Sequence, residues 1–219
     1  IVLKRLSDAC RDGDTILATI RGGAINHDGP SSGFTVPNGS AQRTLLQQAL
    51  AASKLTPADV DYIEAHGTGT TLGDPIEVNA LVDIFCEGRT AANPLLLGSV
   101  KTNLGHLESG AGIAGILKVA LSLWHRQLPR HLHFKNPTPR IPWADIPVKV
   151  NAEHTAWADP GRPRRAGISS FGVSGTNVHL ILEESPTGME SRTTLPLPKK
   201  QLRGRHRYWA FARPQYATA

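Results

Sequence analysis

Two histidines, His66 and His106, are the residues whose type and surroundings best suit chemistry. Each follows a short apolar run and stands in a turn containing glycine and threonine, and Lys101 lies five residues before the second histidine. A histidine can transfer a proton near neutral pH, and its neutral form can donate a hydrogen bond to a developing oxyanion. Position alone also allows histidines that are merely hydrogen-bonded to the backbone of a tight loop. The pairing of the two turns with a lysine favours a single active site.

The chain around these turns predicts the elements that position them. Residues 60–65 and 95–100 are short and apolar enough to be buried strands, and an α/β fold gathers reactive groups in the loops that follow such strands. The remaining residues predict an alternation of strands and helices that ends in two strands flanking a turn. The expected strands are 15–24, 60–65, 95–100, 165–169 and 178–183, the expected helices are 40–53, about 74–85 and about 109–126, residues 1–3 are strand-like, and 26–38 and 127–159 are loops.

Two of these helices bear on the site. Asp74-Pro75-Ile76-Glu77 predicts a helix start in which Asp74 is the N-cap and proline takes the first helical position. The helix at about 109–126 is apolar on nearly every face, which is typical of a buried helix. Its small residues would let other backbones approach closely.

Three motif matches are false positives. Gly110 to Gly115 satisfies G-x-G-x-x-G, but it lies inside an expected helix and cannot form a phosphate-binding turn. His106-Leu107-Glu108 has the H-x-E spacing of zinc deaminases without a P-C-x-x-C partner. Gly67-Thr68-Gly69 lacks the Gly-Lys-Ser/Thr ending of a P-loop.

Composition limits the classes of protein. The 219 residues are 40% hydrophobic, which is enough for one sizeable domain. Two distant cysteines give no disulfide framework, and with no evident secretion leader they indicate a cytoplasmic protein. Residues 110–124 are too short an apolar stretch to span a bilayer. The net charge of +6 is confined to residues 186–219, where seven Lys or Arg meet one acid, so no basic face for nucleic acid is expected on residues 1–185.

The motifs together resemble the C-terminal half of a ketosynthase of the thiolase-like superfamily, of the modular polyketide synthase type. The resemblance runs from residue 1 to about 184, with its motifs in family order. The matching segments are Asn26-His27-Asp28-Gly29, Val36-Pro37-Asn38-Gly39, His66-Gly67-Thr68-Gly69-Thr70, Gly73-Asp74-Pro75-Ile76-Glu77, Lys101-Thr102-Asn103-Leu104-Gly105-His106 and Ser169 to His179. The resemblance implies an α/β fold, namely the C-terminal half of a thiolase-like layered α/β/α/β/α sandwich.

The resemblance also implies roles for individual residues. His66 and His106 would donate hydrogen bonds to the enolate formed when a malonyl-type extender loses carbon dioxide, and Lys101 would support them through a buried ion pair or hydrogen bond. The turn after residue 170 would line the pocket through Phe171 and Gly172, with the amide of Val173 donating to the acyl-transfer oxyanion. Thr68 and Thr70 would hold the phosphopantetheine arm of an acyl carrier protein. No metal or intrinsic cofactor is implied.

The nucleophilic cysteine of such enzymes lies in the N-terminal half, which this sequence does not contain. Cys10 is followed by Arg11-Asp12-Gly13 rather than by small residues that open a helix, and we interpret it as an ordinary turn residue. Cys86, at the end of an amphipathic helix, is most simply a core residue. The implied partners are therefore an N-terminal half that carries the cysteine, an acyl carrier protein and, in the complete enzyme, a second copy in a homodimer.

The sequence divides into a ketosynthase part, residues 1–185, and a basic tail, residues 186–219. The tail resembles the linker that follows an acyltransferase, and we expect Tyr208 and Trp209 to be partly buried against the first part. That linker would imply extender units supplied by an acyltransferase on another polypeptide.

A different class of function remains open: a non-catalytic remnant or interaction module that keeps the fold. Retention of both histidines and the lysine argues against it.

Overall fold

The computed structural model describes residues 1–30 and 36–186 as one mixed sheet covered by helices on both faces. Six strands form the sheet in the order β1-β8-β7-β2-β3-β5, and β4 pairs with β6 outside it. The strands are β1 (Ala18–His27), β2 (Tyr62–Glu64), β3 (Leu95–Gly98), β4 (Gln127–Leu128), β5 (Val148–Val150), β6 (Thr155–Ala156), β7 (Arg165–Phe171) and β8 (Thr176–Glu184). The helices are α1 (Leu6–Asp12), α2 (Gly39–Ser53), α3 (Gly73–Phe85), α4 (Lys101–Leu104) and α5 (Ala111–His125).

The sheet is parallel at its centre and antiparallel at one side. Strands β7, β2, β3 and β5 run parallel, whereas β8 runs antiparallel to both β7 and β1. Successive side chains of a strand point to opposite faces, so Ile63 packs with α2 and α3 while Tyr62 packs with α5. Both residues belong to β2, a buried strand that is followed at its carboxyl end by the loop containing His66.

Helix α5 lies close to β7 because small residues face the sheet. A Cβ atom on Gly115 would stand 3.2 Å from Ile168 Cγ2, and one on Gly112 would stand 3.2 Å from Ser170 Oγ. These glycines are helical, which confirms that the G-x-G-x-x-G match is a packing feature. The opposite face of α5 is open, with Ile113 50%, Leu117 46% and Leu121 44% exposed. The expected burial therefore holds for one side of this helix only.

Several sequence predictions need correction. The strand-like segment 1–3 forms no strand, and Cys10 lies in α1 rather than in a turn. Strand β1 continues through His27, where a loop was expected. The cap prediction for Asp74 is wrong, because α3 begins at Gly73 with Leu72 as its N-cap and no side-chain cap. The Asp74 carboxylate instead accepts a hydrogen bond from the Gly69 amide at 3.0 Å.

The proline-rich segment 127–159 is not wholly a loop, because it contributes β5 to the main sheet. This short edge strand was not predicted, because the surrounding sequence is rich in proline and shows no clear strand pattern. Within the described ranges, no helix combines the length and apolarity that crossing a bilayer requires. The predicted burial of Tyr208 and Trp209 lies outside the described residues.

Candidate active site

The two histidine loops leave the sheet side by side. They follow β2 and β3, which are neighbouring parallel strands with Glu64 paired to Gly98. The carboxyl ends of parallel strands meet at one edge of a sheet, and this brings the imidazoles of His66 and His106 together. Their ring centroids lie 5.7 Å apart at an interplanar angle of 86°. The structure thus places the two histidines in one site, as the sequence predicted.

Backbone amides fix which nitrogen of each imidazole carries the proton. The Phe171 amide donates to His66 Nδ1 at 3.3 Å, and the Glu108 amide donates to His106 Nδ1 at 2.9 Å. A nitrogen that accepts a hydrogen bond has no proton of its own, so in the neutral rings the proton resides on Nε2. Each ring therefore offers an Nε2–H donor.

His66 is held neutral by its surroundings. Burial lowers the pKa of His66 to about 4, and the positive charge of Lys101 and the neighbouring His106 act in the same direction. At neutral pH the His66 imidazole is therefore an uncharged hydrogen-bond donor.

Lys101 begins α4, between β3 and the His106 loop. Burial lowers its pKa, while the carboxylates of Glu77, Glu64 and Asp74 oppose that shift. Its ammonium group makes no hydrogen bond to any described residue. The expected hydrogen bond from Lys101 to a histidine is not seen in the described ranges, and its contribution there is a charge that lowers the pKa of His66.

Glu77, in the first turns of α3, anchors the His66 loop. Its two carboxylate oxygens accept the amides of His66 and Gly67 at 2.8 and 2.9 Å. Burial raises the pKa of Glu77 to about 7, and these two amide bonds oppose the rise. In the sequence this residue was recognised only as part of a helix start.

A buried ion pair anchors the second loop. Glu64, at the end of β2, contacts Lys118 Nζ of α5 and the Tyr62 hydroxyl, each at 2.7 Å. Its other oxygen accepts the amide of Val100, the residue immediately before α4. Both charged side chains are more than nine-tenths buried. Lys118 was seen in the sequence only as an interruption of an apolar helix.

His131 is a second anchor of the same loop that sequence reasoning missed. Its Nδ1 accepts the Ser99 amide at 3.1 Å, and the amide of Leu132 donates to Thr102 Oγ1 at 3.1 Å. No special role was predicted for His131 because it lies outside every recognised motif. Only the fold brings it beside the end of β3.

The hairpin turn between β7 and β8 completes one side of the site. The Phe171 ring lies 5.2 Å from the His66 ring, and the Gly172 amide donates to Thr176 O at 2.7 Å. Val173 sits at the exposed tip with 76% of its surface accessible. Its amide has no acceptor among the described residues and is free to donate to a ligand.

The two threonines of the His66 loop are both exposed. Thr70 Oγ1 accepts the Gly73 amide at 3.0 Å, so it stabilises the turn into α3 while its hydroxyl proton stays available. Thr68 borders a cavity of about 470 Å³ at the carboxyl ends of β2, β3 and β5. Lys101 and His131 also line this cavity. The structure therefore places Thr68 and Thr70 beside the site without showing what they bind. No cluster of three or more metal-binding side chains occurs in residues 1–30 and 36–186.

Two family models match this chain. The family described as beta-ketoacyl synthase, C-terminal domain, matches residues 17–135, and the ketoacyl-synthetase C-terminal extension matches residues 137–206. The second match crosses the expected boundary at residue 185, so the division into two parts stays a prediction.

Similar curated proteins are polyketide synthases. The chain is 55% identical over 196 residues to a phenolphthiocerol/phthiocerol polyketide synthase protein of Mycobacterium tuberculosis, covering 90% of this chain and 9% of that protein. It is 54% identical to the spectinabilin polyketide synthase system protein NorB of Streptomyces orinoci, covering 85% of this chain and 9% of that protein. The chain thus spans less than a tenth of the length of these relatives.

Similar solved structures are ketosynthases. The ketosynthase from module 6 of the bacillaene synthase of Bacillus subtilis superposes with a TM-score of 0.79 at 41% identity. That match covers 84% of this chain and 33% of the solved chain. An oxazolomycin ketosynthase domain of Streptomyces albus gives a TM-score of 0.78 at 43% identity, with 84% and 33% covered.

Proposed function

The chain belongs to the beta-ketoacyl synthase C-terminal domain family, and from that premise we propose that it carries the histidine half of a polyketide ketosynthase active site. The whole enzyme would join an acyl chain to a malonyl-type extender by decarboxylative Claisen condensation. The observation that supports this most directly is the pair of imidazoles that lie together in one site, each accepting a backbone amide at Nδ1, so that in the neutral ring Nε2 carries the proton.

Decarboxylation places charge where these donors are useful. The bond between the extender's α-carbon and its carboxylate breaks, carbon dioxide leaves, and the electron pair moves onto the thioester oxygen as an enolate. Hydrogen bonds from His66 and His106 would stabilise that oxyanion. The enolate carbon then attacks the acyl thioester, a carbon–carbon bond forms and the cysteine thiolate leaves. This reaction consumes no redox equivalent and needs no metal.

The acyl-transfer step needs a different donor. When the acyl chain moves onto the cysteine, the carbonyl oxygen of the thioester becomes negative, and the unpaired amide of Val173 is suited to receive it. Phe171 and Gly172 would shape the pocket beside it. The second donor would be the amide of the cysteine in the N-terminal half.

The proposed partners are those that a polyketide ketosynthase site of this kind would use. An N-terminal ketosynthase half would supply the cysteine, and an acyl carrier protein would deliver substrates on phosphopantetheine, held by the hydroxyls of Thr68 and Thr70. A homodimer and supply of extender by a separate acyltransferase are further parts of the proposal. A cytoplasmic location is supported by the two free cysteines, Cys10 and Cys86. Together with burial, the positive charge of Lys101 would help to hold His66 neutral.

The test uses a complete ketosynthase domain that contains this chain. His66→Ala and His106→Ala should each lower the rate of malonyl decarboxylation by at least about 100-fold, since each removes an oxyanion donor. Acylation of the cysteine, followed by mass spectrometry, should persist in both variants. His125→Ala, an exposed histidine at the end of α5, is the control. Decarboxylation at the parent rate in both histidine variants would show that the assignment is wrong.

The rival proposal is a non-catalytic module with this fold. It predicts that the parent domain binds carrier protein but neither acylates nor decarboxylates. The free Nε2–H groups and the open Val173 amide favour the enzyme.

A further inference from the structure

The end of β1 and the loop that follows it hold the turn that carries Val173. The His27 imidazole contacts the carbonyl oxygen of Ser174, with 2.8 Å between Nε2 and O. The next residue adds a backbone bond, from the Asp28 amide to Gly175 O at 2.9 Å, and its carboxylate accepts from Asn177 Nδ2 at 2.7 Å. One short segment thus makes two contacts with the turn and one with the start of β8.

The direction of the His27 bond is determined by its other nitrogen. The Gly29 amide donates to His27 Nδ1 at 3.0 Å, so in the neutral ring Nε2 carries the proton and donates it to Ser174 O. The ring also lies against Gly175, where a Cβ atom would stand 2.9 Å from Cε1. Gly175 has φ of 91°, a conformation that favours glycine. The imidazole and the turn are therefore fitted to each other.

The turn has few internal bonds to hold its tip. The Gly172 amide donates to Thr176 O and the Gly175 amide donates to Gly172 O. Neither bond involves residue 173 or residue 174. Among the described residues, His27 is the side chain that bonds the backbone of Ser174, directly after the proposed oxyanion donor. Without it, Ser174 O would lose this partner, and within the described part of the chain the tip would be held only by the backbone bonds of Gly172 and Gly175.

We propose that His27 is a positioning residue that aims the Val173 amide at the acyl-transfer oxyanion. This inference rests on the proposed function. His27 touches neither His66 nor His106, so it should affect acyl transfer and leave decarboxylation to the two catalytic histidines. An oxyanion donor acts only when its N–H points at the oxygen, so a loosened turn lowers the rate without abolishing it.

The experiment compares His27→Ala with His27→Gln in the complete ketosynthase domain. The glutamine amide can place an N–H near the position of His27 Nε2, whereas alanine cannot. We expect His27→Ala to slow cysteine acylation by an acyl-pantetheine thioester about 10-fold, which is less than outright loss of an oxyanion donor. His27→Gln should recover most of that rate, and malonyl decarboxylation should stay within about twofold of the parent in both. His125→Ala serves as the control.

Hydrogen exchange supplies a readout that does not need activity. The hydrogen-bonded amides of Gly172 and Gly175 should exchange faster in His27→Ala than in the parent and in His27→Gln. Unchanged acylation in His27→Ala, an equal fall of both activities, or failure of glutamine to rescue would each overturn the inference. If the parent itself neither acylates nor decarboxylates, the proposed function fails, and unchanged exchange at the turn would then refute the positioning role separately.

Discussion

His179 is an imidazole outside the site whose pKa is strongly lowered by burial in the fold. It is fully buried, its Nδ1 lies 3.0 Å from Ser169 Oγ, and its Nε2 has no partner among the described residues. Burial lowers the pKa of His179 to about 3. The folded state thus binds a proton at this position less readily than the unfolded chain, where histidine titrates near 6.5.

This difference predicts an acid-sensitive fold. The stabilisation is complete above pH 6.5 and is lost as the pH falls toward the folded pKa, by about 1.4 kcal/mol per pH unit for each such histidine. The pKa of His66 in the folded state is about 4, so its contribution to stability is lost over a narrower range of pH. In a complete ketosynthase domain, His179→Asn should reduce the slope of unfolding free energy against pH between 6 and 4.

Urea unfolding at several pH values measures that slope. The matched control is His125→Asn, which changes an exposed histidine and should keep the parent slope. Parallel slopes in the parent and His179→Asn would show that His179 is not the acid-sensitive group. The loss of packing in His179→Asn lowers stability at every pH and does not affect this comparison.

At the residue level, the sequence predicted the side chains that lie in the site better than the residues that anchor their loops. His66, His106 and Phe171 were expected together and lie together, because each belongs to a motif next to a recognisable strand. Glu77 and His131 were missed as anchors. Their partners lie 11 and 32 residues away along the chain, and a side chain's reach to a distant amide leaves no local pattern.

At the level of elements, the start of α4 depends on acceptors from other elements. The Ser99 amide is bound by His131 and the Val100 amide by Glu64. Replacing His131 by leucine leaves the Ser99 amide unsatisfied, which costs about 1–3 kcal/mol for a buried group. Because this peptide leads directly into α4, which begins with Lys101, and then into the His106 loop, malonyl decarboxylation should slow as well.

His131→Asn is the informative partner of that variant, since its Oδ1 can replace the acceptor Nδ1. Thermal unfolding and malonyl decarboxylation of the complete domain should both be close to the parent in His131→Asn and reduced in His131→Leu. His125→Leu controls for added surface hydrophobicity. Equal behaviour of the leucine and asparagine variants would mean that the hydrogen bond to Ser99 does not matter.

The elements themselves were largely predictable where hydrophobic pattern was clear. Strands β2 and β3 and helix α2 follow the expected apolar runs, with ends shifted by one or two residues. The start of α3 was misjudged because Asp74 satisfies the Gly69 amide instead of the helix end. Strand β5 was missed because it is three residues long and is defined by pairing with β3 rather than by its own composition.

For the molecule as a whole, the open face of α5 is the most telling surface. Ile113, Leu117 and Leu121 are about half exposed and lie with Leu104 and Leu107 along one apolar groove. Contiguous apolar surface of this kind marks an interface. We expect it to be covered in the complete ketosynthase domain and uncovered in residues 1–219 alone.

The variant Leu117→Lys tests whether the groove is covered in the complete domain and open in the isolated chain. In the isolated chain it should reduce self-association measured by light scattering, because it places a charge in the exposed groove. In the complete domain it should lower the unfolding free energy by about 2 kcal/mol or more, because the charge would be buried without a partner. Val2→Lys, at a position 95% exposed and away from the groove, is the control. An unchanged complete domain would mean that the groove stays open there.

The proton placement on both active-site imidazoles depends on peptide groups rather than on side chains. The amides of Phe171 and Glu108 are present whichever amino acids occupy those positions, with proline as the sole exception among the coded residues. The choice of tautomer is therefore little affected by point mutation. Neighbouring side chains can therefore change while both imidazoles keep the same acceptor nitrogen, Nδ1.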